Sequence, residues 1–85
     1  MKRKQNKRVT VFDEKGLVAF AAQLKKVRKD KGYTQEKLSD ESGITLSQIA
    51  RIETIKINPS LSTIFVLMRT LDIQPNEMFN FKLPK

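Results

Sequence analysis

Apolar residues recur with helical spacing in two long stretches of the chain, and turn-forming residues bound both. In the first stretch they stand three or four positions apart, which places them on one face of a helix: Leu17, Phe20, Ala21, Leu24 and Val27. The second long stretch repeats that spacing: Leu61, Ile64, Leu67, Met68 and Leu71. Asp13 and Ser60 suit the N-caps of these two helices, and Gly32 suits the end of the first. Pro75 predicts the start of a fifth, short helix that ends near Phe79.

Residues 33–53 predict two short helices, at about 35–41 and 46–53, joined by a tight turn. Thr34 and Thr45 are suitable N-caps, and Gly43 suits the left-handed residue that often follows a helix. The apolar residues of this stretch point to one core: Leu38, Ile44, Ile49 and Ile52. Two helices this short need a scaffold behind them, because helix nucleation is costly. Two helices around a short glycine-containing turn are the signature of a helix-turn-helix, in which the second helix reads DNA.

Both ends of the helical region carry alternating apolar and polar residues, which is typical of strands. These segments are 9–12 (VTVF) and 78–83 (MFNFKL). They could pair, within one chain or between two, or they could be extended termini without a ladder. We therefore divide the chain into a basic N-terminal arm with a possible strand (1–12), a helix-turn-helix domain (13–80) and a C-terminal tail (81–85).

The composition favours a polyanionic partner and argues against catalysis. The 85 residues carry a formal net charge of +8 and contain no histidine and no cysteine. The commonest general base and the usual zinc ligands are thus missing, so we expect no enzyme, no catalytic residues, no metal and no cofactor. Five of the basic residues lie in residues 1–8, either as a solvated tail or as an arm that attracts phosphates. No apolar run is long enough to span a membrane, so we expect a cytoplasmic protein.

The predicted second helix of the pair leaves four side chains pointing outward: Leu46, Ser47, Gln48 and Arg51. Such positions reach base edges in the major groove. Gln48 can donate and accept together, which suits adenine, whereas Arg51 suits guanine or a phosphate. Leu46 could touch a thymine methyl group. Each could also be an ordinary exposed side chain, or in the case of Leu46 a packing residue.

Many residues between 17 and 80 agree in order and spacing with those of one known family: Arg28, 32–38, 42–45, Ser47, Ile49, 51–53, 59–61, Thr63, Ile64, Leu71, Ile73 and Phe79. Through them, residues 17–80 resemble a Cro/repressor-type (XRE) helix-turn-helix domain. The resemblance implies an all-α fold, a compact five-helix lambda-repressor-like DNA-binding domain. The alternating patterns at the ends could add short terminal β-strands to it. It also implies operator binding, usually as a homodimer.

The resemblance further implies roles for three residues. Gln35, which opens the first helix of the pair, would bond a phosphate and brace the recognition helix. Arg28 of the first long helix would form an ion pair with Glu53 at the end of the recognition helix. We also expect phosphate contacts from Thr34, Thr45 and Lys56. Where the family often has glycine after the Glu, this chain has Thr54 followed by Ile55, so the end of the recognition helix could be shaped differently.

Apolar residues outside the predicted core could form an interface between two copies of the chain, since exposed apolar patches often mark interfaces. The expected homodimer surface consists of Phe65, Val66, Met78, Phe79 and Phe81. The alternative is that the terminal segments cover these residues within one chain.

These observations predict a sequence-specific regulator of transcription that binds double-stranded DNA, in the form of a homodimeric repressor reading a palindromic operator. No small-molecule ligand and no membrane partner are evident. A phage-type repressor, a restriction–modification controller and an antitoxin that regulates its own operon all fit the sequence. Outside this class, the same fold could serve as a protein-interaction module. RNA binding and membrane binding fit the sequence less well.

Overall fold

The computed structural model describes residues 11–85 and consists, over that range, of five α-helices without a β-strand. The helices are α1 (Glu14–Asp30), α2 (Gln35–Ser42), α3 (Leu46–Glu53), α4 (Leu61–Leu71) and α5 (Pro75–Met78). The predicted all-α, five-helix fold is confirmed. None of the helices in this range is long and apolar enough to cross a membrane.

Side-chain caps set the start of each of the four longer helices. The side-chain oxygens of Asp13, Thr34, Thr45 and Ser60 each accept a hydrogen bond from the backbone amide three residues later, at 3.0–3.2 Å. Each cap satisfies one of the amides that have no partner within the helix. Gly16 is part of the first cap, because a Cβ atom there would lie 2.8 Å from the Asp13 carboxylate. The glycine near the start of α1 thus lets the cap close.

The core lies where α1 packs on α3 and α5 and where α2 packs on α3 and α4. Its twelve buried apolar residues come from all five helices and one connection: Phe20, Leu24, Val27, Leu38, Ile49, Ile52, Ile64, Leu67, Met68, Leu71, Ile73 and Met78. Tyr33, Ile44, Ile57 and Phe81 pack against this cluster from its edge. The scaffold that two short helices require is therefore supplied by α1, which packs on α3, and by α4, which packs on α2.

The prediction that Leu61 faces the core is wrong, and of the two alternatives for the chain ends, the described residues fit termini without a ladder. Leu61 is 61% exposed, because it is the first residue of α4 and its side chain lies beyond the core. Residues 11–12 and 79–85 form no ladder, and Val9 and Thr10 lie outside the described residues. Met78 ends a one-turn helix in which the Glu77 side chain accepts from the Gln74 amide at 2.9 Å. Pro75 and this cap favour the helical turn over an extended strand.

The two ends of the described chain nevertheless lie close together, at the start of α1. The Lys15 ammonium donates to the Lys85 carbonyl at 2.8 Å, and the Asn58 amide donates to the Val11 carbonyl at 3.5 Å. Phe81 packs on the core, with its ring 6.3 Å from that of Phe79. The basic arm of residues 1–8 lies outside the described residues.

Candidate nucleic-acid interface

Helix α3 has a buried face and an exposed face, and both follow from its sequence. Ile49 and Ile52 are buried in the core, whereas Leu46, Ser47 and Arg51 are exposed. Gln48 is half-buried. The four residues predicted to contact bases thus include three on the open surface and one at its edge. No other segment covers them in the part of the chain that the structure describes.

The start of α3 is set by the turn that follows α2. Gly43 ends α2 in the left-handed conformation, with φ 81°, and its amide donates to the Ser39 carbonyl at 3.0 Å. Residues with a Cβ atom adopt this conformation at a steric cost, which glycine avoids. Two residues later the Thr45 hydroxyl accepts from the Gln48 amide at 3.1 Å. The turn and the cap together fix where Leu46, Ser47 and Gln48 emerge from the surface.

The far end of α3 is held by a buried ion pair. The Arg28 Nε and Nη2 atoms donate to the two carboxylate oxygens of Glu53 at 2.7 and 3.0 Å. Arg28 is 7% exposed and Glu53 is 5% exposed. The remaining guanidinium nitrogen, Nη1, donates to the Tyr33 carbonyl at 2.8 Å. Arg28 thus ties α1 to α3 and to the connection that leads into α2, as the predicted pairing requires.

Gln35 extends this network from α2. Its Nε2 atom donates to the Glu53 Oε1 atom at 2.9 Å, so that oxygen accepts from both Arg28 and Gln35. An amide nitrogen carries two hydrogens, and only one is used here. Gln35 therefore braces α3, which is one half of its predicted role, and keeps a second donor for a phosphate. Its contact with a phosphate stays a prediction.

The other residues predicted to contact phosphates are exposed and have donors to offer. Thr34 and Thr45 each accept an amide hydrogen bond as N-caps, and a hydroxyl that accepts can still donate. Both stand at the start of an eight-residue helix, where the helix dipole favours a negative charge. Lys56 lies in the loop that leaves α3, and its side chain is exposed.

The end of α3 has a left-handed termination although no glycine is present. The Ile55 amide donates to the Ile52 carbonyl at 3.2 Å, and the Lys56 amide donates to the Arg51 carbonyl at 2.8 Å. These two hydrogen bonds form a Schellman motif, which requires a left-handed backbone conformation at Ile55. Its φ is 60°, which is strained for a β-branched side chain. The replacement of glycine by Thr54 and Ile55 therefore leaves the helix end intact, and the strain falls on Ile55.

Tyr33 is a further part of the site that the sequence interpretation missed. Its hydroxyl donates to the Glu41 carboxylate at 2.6 Å, and the Lys37 ammonium lies 4.4 Å from its ring centroid. The hydrogen bond to Glu41 raises the pKa of the Tyr33 phenol above 10.0, and desolvation acts in the same direction. Spacing in the sequence gave a hint, since Lys37 and Glu41 are one turn apart on α2.

The prediction that Met78 belongs to a homodimer surface is wrong. Its side chain is 0% exposed in the core, because α5 turns it inward against α1. Phe65 and Phe79 are 43% and 44% exposed, and Val66 and Phe81 are half-buried. Phe79 also packs on Phe20, with the ring centroids 5.7 Å apart. It lines an apolar groove of about 420 Å³ between α1, the start of α4 and the chain ends.

Comparison with known proteins agrees with this architecture. Residues 24–78 match the model of the family described as helix-turn-helix. The chain is similar to the HTH-type transcriptional regulator PuuR of Escherichia coli (strain K12), with 31% identity over 69 residues, or 81% of this chain and 37% of PuuR. It is also similar to the SPbeta prophage-derived regulator YonR of Bacillus subtilis (strain 168), with 37% identity over 64% of this chain and 50% of YonR. The chain thus spans half or less of the length of these relatives.

Two solved structures show how far the likeness extends in three dimensions. The restriction-modification controller C.AhdI from Aeromonas hydrophila matches with a TM-score of 0.70 and 40% identity, over 74% of this chain and 96% of C.AhdI. The controller C.Esp1396I, a tetramer in complex with its natural 35 base-pair operator, matches with a TM-score of 0.70 and 28% identity, over 75% of this chain and 84% of that chain. With its capped helix pair and the buried Arg28–Glu53 pair, this chain belongs to the Cro/repressor-type (XRE) helix-turn-helix family.

Proposed function

We propose that this chain regulates transcription by binding double-stranded DNA in a sequence-specific manner through α3. One observation carries the proposal. The inner face of α3 is fixed in the core, its end is fixed by Arg28 and Gln35, and its outer face is left open. A helix that is held on one side and open on the other can enter a major groove about 12 Å wide without a change of fold.

The open face carries chemistry suited to base edges. The Gln48 amide can form two hydrogen bonds with adenine, and the Arg51 guanidinium can form two with guanine or bind a phosphate. The Ser47 hydroxyl can donate or accept, and the Leu46 side chain can contact a thymine methyl group. All four residues belong to the helix that starts at the Thr45 cap, so they would meet neighbouring base pairs together.

Phosphate contacts would orient α3 in the groove without reading the sequence. The second amide hydrogen of Gln35, the hydroxyls of Thr34 and Thr45, and the Lys56 ammonium are the proposed donors. Gln35 is the most informative of these, because the same side chain braces Glu53 at 2.9 Å. A phosphate bound there would be connected to the end of the reading helix through one side chain.

We further propose that the chain acts as a homodimeric repressor on a palindromic operator. The exposed parts of Phe65, Val66, Phe79 and Phe81 would form the contact between copies, without Met78. Two recognition helices related by a twofold axis would enter major grooves about 34 Å apart. The similar protein C.Esp1396I binds its operator as a tetramer. A dimer is the smallest symmetric unit that could place two α3 helices on one site.

The test replaces Ser47 and Gln48 by Ala and measures binding to a selected operator duplex and to a random duplex. Each base-specific hydrogen-bond pair is worth about 1–3 kcal/mol, so we expect operator affinity to fall by about 5-fold or more. Affinity for random DNA should change little. The matched control is Ser62→Ala, an exposed serine on α4. Unchanged binding to both duplexes by the Ser47 and Gln48 variants would show that the base contacts are assigned wrongly.

A further inference from the structure

We infer that Tyr33 is a positioning residue for DNA binding, which sets where the start of α2 presents Thr34 and Gln35 to a phosphate. The inference rests on the proposed function and deepens it, since it assigns a support to the phosphate contacts. Tyr33 directly precedes both residues in the chain, and it forms hydrogen bonds with residues of α1, α2 and α4. It acts on binding through its two neighbours rather than by a contact of its own with DNA.

The backbone of Tyr33 is held from both sides by one residue of α1. Its amide donates to the Arg28 carbonyl at 3.0 Å, and its carbonyl accepts from the Arg28 Nη1 atom at 2.8 Å. The same guanidinium binds Glu53, and the Glu53 Oε1 atom also accepts from Gln35. These bonds, together with the short stretch of chain from Tyr33 to Gln35, form a closed ring. The direction of the Gln35 amide therefore depends on where Tyr33 lies.

The side chain of Tyr33 anchors this ring to the far ends of α2 and α4. Its hydroxyl donates to the Glu41 carboxylate at 2.6 Å, with the Thr70 carbonyl at 3.4 Å as a second, more distant acceptor. Glu41 and Thr70 both lie in the last turn of their helices. The aromatic ring packs on the edge of the core, and the Lys37 ammonium lies 4.4 Å from its centroid. Tyr33 thus connects the start of α2 with its end and with α4.

A phosphate contact tolerates little displacement of its donors. Groups that bind a ligand must be held to within about 0.5 Å by packing and by hydrogen bonds from the residues behind them. The proposed donors, on Thr34 and Gln35, lie at the start of a short helix, and of its residues 35–42 only Leu38 is buried. Loss of the hydroxyl bonds of Tyr33 frees this first turn to move while the core stays packed, because the aromatic ring remains in place.

The experiment measures the affinity of the full chain for fluorescein-labelled duplexes of operator and of random sequence at about 100 mM salt. Tyr33→Phe removes the hydroxyl and keeps the ring. Glu41→Ala removes the acceptor together with one negative charge. Asp40→Ala is the matched control, because it removes the same charge from the neighbouring exposed position. Urea unfolding without DNA, followed by circular dichroism, checks that each variant is folded under the conditions of the binding assay.

Tyr33→Phe should weaken binding to both duplexes by the same factor, about 3-fold or more, because phosphate contacts do not read the sequence. Glu41→Ala should weaken binding as well. Asp40→Ala should leave binding unchanged or strengthen it, since the loss of an acidic charge favours contact with a polyanion. In a chain that already carries Gln35→Ala, Tyr33→Phe should cost less than about 2-fold, because the donor that it positions is gone.

A Tyr33 that served only the stability of the fold would lower the unfolding midpoint and leave the affinity of the folded chain unchanged. Unchanged affinity in Tyr33→Phe, or an equal loss with and without Gln35, overturns the inference while the proposed function stands. If Tyr33→Phe does not fold, Glu41→Ala decides, and an affinity equal to that of Asp40→Ala overturns the inference. A native chain that binds neither duplex at about 50 mM salt removes the proposed function and the inference with it.

Discussion

Replacing Glu53 by Ala tests whether the buried pair holds the reading helix. Arg28 is 7% exposed in the native structure, and the variant leaves its guanidinium with the Tyr33 carbonyl as the only remaining partner among those the structure gives it. Two hydrogen bonds, of 2.7 and 3.0 Å, are lost together with the counter-charge. Gln35 also loses its contact at 2.9 Å.

Removing one partner of a buried ion pair costs about 3–5 kcal/mol, because the other charge stays buried and unpaired. A domain of this size has a free energy of unfolding of roughly 4–13 kcal/mol, so the loss is a large share of it. With a urea m-value of about 1 kcal/mol/M, the unfolding midpoint should fall by about 3 M or more.

The assay is urea unfolding at 25 °C, followed by circular dichroism at 222 nm. The matched control is Lys26→Ala, which breaks the exposed Lys26–Asp30 pair, whose side chains are 68% and 62% exposed. An exposed pair at this spacing is worth only about 0.3–0.5 kcal/mol. If Glu53→Ala destabilises the domain by less than about 1 kcal/mol, the buried pair behaves like an exposed one, and the reasoning is refuted.

Three further predictions concern Ile55, the dimer and Tyr33. Ile55→Gly should be more stable than Ile55→Ala by about 1 kcal/mol, since only glycine avoids the left-handed strain, and equal unfolding midpoints would contradict this. Phe65→Glu should shift the chain towards monomer in sedimentation, whereas Val18→Glu on α1 should not. Tyr33, the only tyrosine, should titrate above pH 10.0 by absorbance, and Glu41→Gln should lower that pKa. Stability from this bond is complete below the unfolded pKa and is lost as the pH rises through the folded value.

The sequence predicted the helices well because their signals are local. The caps Asp13, Thr34, Thr45 and Ser60 each act on an amide three residues away, so their chemistry can be read without the fold. Periodic apolar residues identified most of the core for the same reason. The periodicity predicted the burial of Leu61 wrongly. Leu61 is the first residue of α4 and lies beyond the core, and spacing alone does not show where the packing partner of a helix ends.

The wrong placement of Met78 at a surface arose from competition between two local patterns at the C-terminus. The alternation in residues 78–83 predicts a strand, whereas Pro75 and the cap between Gln74 and Glu77 favour a helical turn. In the structure the turn prevails, and α5 carries Met78 into the core rather than to a surface. A strand needs a partner to form, but a capped turn supplies its own hydrogen bonds.

The pairing of Arg28 with Glu53 shows what local patterns cannot supply. The two residues are 25 positions apart, and nothing in the spacing of charges singles them out from the other charged residues. Only the resemblance to the Cro/repressor-type family indicated the pair. The network that Gln35 and Tyr33 add around it depends on how α1, α2 and α3 meet, which is a property of the whole fold.

The most direct test of the central claim is selection of bound sites from a pool of random duplex DNA by the full chain. If α3 reads base edges from a homodimer, the selected sites should share a twofold-symmetric motif, with half-site centres about 10 base pairs apart. The Gln48→Ala variant should lose enrichment at one base pair in each half-site. If the protein retains DNA from the pool at low salt but no motif is enriched, the account is contradicted.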